Sequence, residues 1–167
     1  MKYIGAMMIF LSAFAVGISA GDREKRRLKE CEEFLRFFEY IKNQVGYFLM
    51  PTKLIYRGFE SEVLSRTGFL AALCGFERDD VYYDAWVKAF DSCEDRMTLS
   101  SEEKAIVRGF GAGIGKSDEH LQMKNFELCI SQMKDEISFL KLETANNVKI
   151  YTVLGFAVGA AAVILII

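Results

Sequence analysis

Residues 28–48, LKECEEFLRFFEYIKNQVGYF, carry apolar side chains at every third or fourth position. This spacing puts them on one face of an α-helix, and a helix with one apolar face buries that face against its neighbours. The stripe is formed by Leu28, Cys31, Leu35, Phe38, Ile41, Val45 and Phe48. The single proline, Pro51, cannot donate a hydrogen bond inside a helix, so we predict that the helix ends before it.

The chain beyond Pro51 has the same periodicity. No stretch alternates between apolar and polar residues over more than a few positions, as a half-buried strand would. We predict five further helices, at residues 52–66, 68–74, 80–97, 101–114 and from 118 to the C-terminus. The fold class that follows is all-α, a six-helix bundle whose last helix is exceptionally long.

Local signals mark the ends of the later helices. Ser100 and Glu103 have the spacing of a capping box, and Leu99 stands where such boxes place an apolar residue. Gly115 is expected to end the fifth helix, and Ser117 is expected to cap the sixth.

The composition excludes several classes of function. The chain has 167 residues, the length of one domain, and its 51% hydrophobic content is too high for a disordered chain. Its net charge of −2 provides no basic excess for binding nucleic acid. One histidine and four cysteines without CxxC spacing indicate neither a metal site nor a disulfide framework, so no cofactor is expected.

Two uncharged stretches lie at the ends of the chain. Residues 3–21, YIGAMMIFLSAFAVGISAG, would form a helix of about 28 Å, and residues 151–167, YTVLGFAVGAAAVILII, also carry no charge. Both approach the length needed to cross a hydrocarbon core of about 30 Å. We therefore predict two transmembrane helices in a lipid bilayer, residues 1–21 and 150–167, as extensions of the first and last helices of the bundle.

The charged segment between them, residues 22–149, is predicted to be a cytoplasmic domain of a protein in the cell membrane. It begins DREKRRLKE, and positive charge beside a span is retained in the cytoplasm. A cleaved signal peptide is the alternative for the first stretch, although Ile18 stands where a small residue is preferred before a cut after Ala20. Glycines spaced for close helix packing in the spans are Gly17, Gly21, Gly155 and Gly159.

Residues that resemble catalytic motifs do not complete them. Gly115-Lys116-Ser117 looks like the end of a phosphate-binding loop, but Phe110 stands where that motif needs a glycine. His120 has no second ligand three or four residues away. We therefore predict that the chain is not an enzyme.

Two features are predicted to serve packing. Gly109 and Gly113 lie on the apolar face of the fifth helix, so another helix, expected to be the last one, approaches closely there. Trp86, the only tryptophan, is expected to anchor the core; the alternative is an exposed contact for a partner.

A resemblance to a known family rests on the stretch from Leu99-Ser100 to Ile114-Gly115-Lys116-Ser117-Asp118-Glu119-His120-Leu121-Gln122. It is similar to the "LS … LGxSDxxxQ" signature of the stage III sporulation protein AB family, with Ile114 in place of the usual leucine. The two terminal stretches, Pro51-Thr52 and Trp86 also match, so the likeness covers the whole chain.

The resemblance implies a role that involves no catalysis. Members of this family are required for the channel-like complex between mother cell and forespore, and their cytoplasmic domain, on the mother-cell side, resembles the platform protein of type II secretion and type IV pilus systems. The implied function is a scaffold that docks protein partners, among them an assembly ATPase. Gly115, Ser117, Asp118 and Gln122 would be either a structural turn or the docking point, with Gln122 able to bond across to the fifth helix. The alternative function is an unrelated two-span helical adaptor of a secretion or sensory system.

Overall fold

The computed structural model describes residues 2–48, 52–75, 82–115 and 118–166. Contacts divide the chain into two compact units: residues 1–28 with 139–167 form the first, and residues 29–138 form the second. In the first unit Gly21, Leu140 and Thr144 are buried, whereas the side chains of Phe139 and Leu142 are exposed. The second unit contains the aromatic core and the candidate functional site.

Helices account for all regular structure in the described residues. They are α1 (Lys2–Phe48), α2 (Thr52–Arg57), α3 (Glu62–Thr67), α4 (Phe69–Gly75), α5 (Tyr82–Asp91), a 3-10 helix (Glu94–Arg96), α6 (Ser101–Ala112) and α7 (Glu119–Ile166). No strand occurs among these residues, as the helical periodicity predicted. The final helix, α7, is 48 residues long.

The predicted count of six helices is wrong, because the segment predicted as one helix over residues 52–66 forms both α2 and α3. The Gly58 amide donates to the Ile55 carbonyl at 3.2 Å and closes a turn after α2. Ser61 then caps α3, its hydroxyl accepting a hydrogen bond from the Leu64 amide at 3.1 Å. A side-chain cap gives the backbone a favourable place to start a new helix.

The prediction of two transmembrane helices is also wrong. A spanning helix needs about 20 consecutive, predominantly apolar residues. Within the ranges that the structure describes, no helix, α1 and α7 included, combines that length with sufficient apolarity. This finding contradicts two predictions. One is a six-helix bundle that residues 1–21 and 150–167 extend into a bilayer. The other is a location in the cell membrane with a cytoplasmic central domain.

The helix predicted over residues 80–97 ends earlier than expected. Its predicted start at residue 80 lies outside the described residues, and α5 stops at Asp91. The Ser92 hydroxyl donates to the Ala89 carbonyl at 2.8 Å, and the Cys93 thiol donates to the same carbonyl at 3.1 Å. Such side-chain bonds compete with helical backbone bonds at a helix end.

An aromatic cluster forms the centre of the second unit. Trp86 has no exposed surface, and its ring stacks on Phe37 with centroids 5.8 Å apart and an interplanar angle of 10°. Phe110 stacks between Phe38, at 4.0 Å, and Phe126, at 4.5 Å. Each aromatic pair adds about 0.5–1.5 kcal/mol beyond the area it buries, so the cluster joins α1, α5, α6 and α7 firmly.

Two polar contacts connect helices around this core. Glu30 of α1 is buried, and its Oε2 accepts a hydrogen bond from the Thr98 amide at 2.7 Å. Arg108 of α6 bonds to Asp91 at 2.9 Å and Glu94 at 2.6 Å, so it fixes α6 against the end of α5. The hydrogen bond that Arg108 donates to Asp91 raises the pKa of Arg108 above its ordinary value.

Candidate partner-binding surface

The start of α6 has the predicted capping box. The Ser100 hydroxyl accepts a hydrogen bond from the Glu103 amide at 3.3 Å, and Glu103 Oε2 accepts one from the Ser100 amide at 2.7 Å. Glu103 is fully buried, and Ser100, which makes both of these bonds with it, is half-buried. These reciprocal bonds satisfy two amides that a helix start otherwise leaves without partners.

The end of α6 is a glycine-rich turn. The helix stops at Ala112, two residues before the predicted end, and Gly113 donates to the Phe110 carbonyl at 3.1 Å. Gly115 has φ of +72°, the left-handed conformation that glycine adopts without a steric penalty. Ser117, predicted to cap the next helix, lies outside the described residues.

The beginning of α7 is exposed. The Asp118 carbonyl accepts a hydrogen bond from the Gln122 amide at 2.9 Å, which forms the first turn of the helix. Asp118 and His120 are exposed, and Gln122 is half-buried. The bond to α6 comes from Asn125 rather than from Gln122, because Asn125 Nδ2 donates to the Gly109 carbonyl at 3.2 Å.

The glycine face of α6 packs on α7, as predicted. A Cβ atom on Gly113 would lie 2.1 Å from Asn125 Nδ2, far inside van der Waals contact. One on Gly109 would lie at an ordinary 3.8 Å from Cys129 Sγ. Gly113 therefore permits the close approach, whereas Gly109 leaves room beside Cys129.

Gly111 has a role that the sequence did not indicate. The Trp86 ring occupies the space that a side chain at residue 111 would need, since a Cβ atom on Gly111 would lie 2.1 Å from Trp86 Cδ1. The indole Nε1 of Trp86 also donates to the Val107 carbonyl at 3.0 Å. Trp86 therefore lies in the core against α6, and a side chain without exposed surface does not contact a partner directly.

Other predicted site residues are less informative. Gly17, Gly155 and Gly159 belong to α1 and α7, but their surroundings lie outside what the structure describes. Among the described residues no group of three or more His, Cys, Asp or Glu side chains is arranged to hold a metal ion. All four cysteines are within the described ranges, none forms a disulfide, and burial raises the pKa of Cys129.

Comparison with known proteins identifies the family. A family model described as stage III sporulation protein AB matches residues 2–167. This chain belongs to that family. It is also 18% identical, over 169 residues, to stage III sporulation protein AB of Bacillus subtilis (strain 168), covering 99% of both chains.

A solved structure shows the same fold. It is a stage III sporulation protein AB with a TM-score of 0.63 and 15% identity, and the match covers 72% of this chain and 97% of that one. The predicted membership in the stage III sporulation protein AB family is thus confirmed, and a role in sporulation follows from it. Both relatives are named as sporulation proteins.

Proposed function

We propose that this chain is a scaffold of the sporulation complex that connects mother cell and forespore, and that it works by docking a protein partner. The observation that carries the proposal is the family match over nearly the whole chain. The described unit of residues 29–138 supports it with a rigid aromatic core, on which exposed helix surfaces are held in fixed positions.

The partner that we propose is an assembly ATPase. This rests on the resemblance of the family's cytoplasmic domain to the platform proteins of secretion and pilus systems, which operate with such ATPases. The unrelated two-span adaptor is disfavoured, because the chain belongs to the sporulation family.

The docking point that we propose is the turn between α6 and α7. Asp118 and His120 are exposed beside Gln122, and Gly115, near the end of α6, is exposed and has a positive φ. The capping box at one end of α6 and the Asn125 bond near the other hold this helix in place. A surface beside a firmly held helix loses little conformational freedom when a partner binds.

The proposal is tested by affinity purification of the full chain from sporulating cells, followed by quantification of the ATPase recovered with it. Asp118→Lys reverses a charge at the turn, and Asp84→Lys, on exposed α5 surface, makes the same charge change elsewhere. We expect Asp118→Lys to reduce ATPase recovery and heat-resistant spore counts, and Asp84→Lys to leave both near wild type. Equal recovery from both variants would refute the turn as the docking point, and no ATPase with the wild-type chain would refute the partner.

A further inference from the structure

A second surface of the unit formed by residues 29–138 is a groove of about 480 Å³ between α6 and α7. The lining residues of α6, from Glu102 to Gly109, are spaced at i, i+3, i+4 and i+7, and those of α7, from Cys129 to Glu136, are spaced at i, i+3, i+6 and i+7. Residues seven apart on a helix are separated by about 10 Å along its axis. The groove is therefore long enough to receive about two turns of another helix.

The floor of this groove is lined by small and apolar residues. On the α6 side the groove is lined by the small residues Ala105 and Gly109. On the α7 side it is lined by Cys129, which is buried. A Cβ atom on Gly109 would have only Cys129 Sγ within 4 Å, so the space above the glycine is open. Such a floor suits the aliphatic stem of a long side chain better than a bulky ring.

The rim of the groove is acidic. Glu102 and Asp135 are exposed and Glu136 is half-buried. Within the described ranges neither Asp135 nor Glu136 forms an ion pair, and no three carboxylates here are arranged to hold a metal ion. The carboxylates of Asp135 and Glu136 therefore carry negative charge that no ion pair among the described residues compensates.

Two lysines of this region of the molecule form ion pairs outside the groove. Lys134, next to Asp135 in sequence, pairs with Glu39 of α1 at 2.7 Å. Lys42 of α1 pairs with Glu127 of α7 at 2.8 Å. These pairs join α7 to α1, and they direct Lys42 and Lys134 to Glu127 and Glu39 rather than to Asp135 and Glu136.

We propose that the α6–α7 groove binds a helical segment of a protein partner that presents lysine or arginine. The aliphatic stem of that residue lies on Ala105 and Gly109, and its charged end reaches the carboxylates of Asp135 and Glu136. A helix that fits a groove through side chains one turn apart is a common mode of protein recognition. This proposal rests on the scaffold function above and adds a surface distinct from the α6–α7 turn.

The experiment places a benzophenone amino acid at Gln132, an exposed groove residue, in the full chain in sporulating cells. Light cross-links the benzophenone to whatever occupies the groove, and mass spectrometry identifies the attached peptide. We expect a peptide of another protein with lysine or arginine within one helical turn of the cross-link. A cross-link to a second copy of this chain, a peptide without a basic residue, or no cross-link would overturn the proposal.

A charge-neutralising variant provides the matched test. Asp135→Asn with Glu136→Gln keeps the shape of the rim, and Asp84→Asn with Asp95→Asn removes the same charge from exposed positions outside the groove. The first pair should lower the cross-linking yield by about tenfold, as expected for the loss of two interfacial charge contacts, and the second should not. Equal yields in the two variants would overturn the proposal. Because ATPase recovery is measured separately, failure at the groove is distinguishable from failure of the scaffold function.

Discussion

Gly111 is the residue on which the packing of Trp86 depends most directly. The indole lies where a Cβ atom of residue 111 would be, and it cannot move away because it stacks on Phe37 and bonds to Val107. We predict that Gly111→Ala destabilises the protein by about 1–3 kcal/mol through overpacking. Urea unfolding of the full chain measures this. Gly75→Ala is the control, since no atom of the described residues lies within 4 Å of a Cβ there, and similar losses for both variants would contradict the role of Gly111.

Gly113 makes a softer contact, because the atom nearest to its absent Cβ is the end of the Asn125 side chain. Gly113→Ala should push that amide aside and break its hydrogen bond to the Gly109 carbonyl, at a cost of about 1 kcal/mol. In an Asn125→Ala background the same substitution should cost clearly less. A double-mutant cycle on unfolding free energies tests this coupling, and strictly additive effects would show that the two residues do not interact.

The buried thiol of Cys93 gives a prediction about pH. Burial raises its pKa from 9.0 to about 11, so its neutral form is favoured in the folded state. Its contribution to stability is fully present below pH 9 and is lost as pH rises from 9 to 11, because the unfolded chain releases the proton first. Cys93→Ser does not titrate there, so its unfolding free energy should fall less over that interval. Identical pH dependence in both proteins would be inconsistent with a buried neutral thiol.

At the scale of single elements, the capping box of α6 is the clearest local determinant. Ser100→Ala removes the hydroxyl that accepts the Glu103 amide, and we predict a loss of about 1 kcal/mol in unfolding free energy. Ser101→Ala, one residue later and exposed, should change it by less than about half of that. Thermal unfolding of both variants compares the two positions. A larger effect at Ser101 would mean that the helix begins elsewhere.

Structural features that depend on residues close together in the chain could be predicted from the sequence. The Ser100–Glu103 spacing and the uninterrupted last helix are of this kind, and so is the glycine face at Gly109 and Gly113. The break between α2 and α3 was missed because apolar periodicity continues through it, while the Ser61 cap and the Gly58 turn end one helix and start another. The periodic stripe likewise hid the early end of α5.

Contacts between distant residues could not be predicted in the same way. Gly111 and Trp86 are 25 positions apart, and nothing in the local sequence of either indicates the other. Gln122 was considered able to bond across to α6, and the structure shows such a bond from Asn125 to the Gly109 carbonyl, since small rotations of α7 decide which amide reaches α6. The two predicted spans relied on uncharged composition at the ends of the chain, and no described helix meets the requirements of a span.

At the scale of the whole molecule, the family match and the helical core both support the proposed scaffold function. The match covers residues 2–167, and the solved relative shares the fold over 72% of this chain. Two surfaces are proposed for partners, the turn at Gly115–Gln122 and the acidic α6–α7 groove. Both are built on α6, which is held by its capping box, by Arg108 and by the packing of Phe110.

The most direct test of the scaffold function is calorimetric titration of the purified full chain with the purified assembly ATPase, and separately with millimolar ATP. If the chain is a scaffold, we expect saturable heat with the ATPase and none with ATP alone. The contrary result is no heat with the ATPase together with saturable ATP binding that Lys116→Ala abolishes. That outcome would make the glycine-rich stretch around Lys116 a phosphate site and the protein something other than a scaffold.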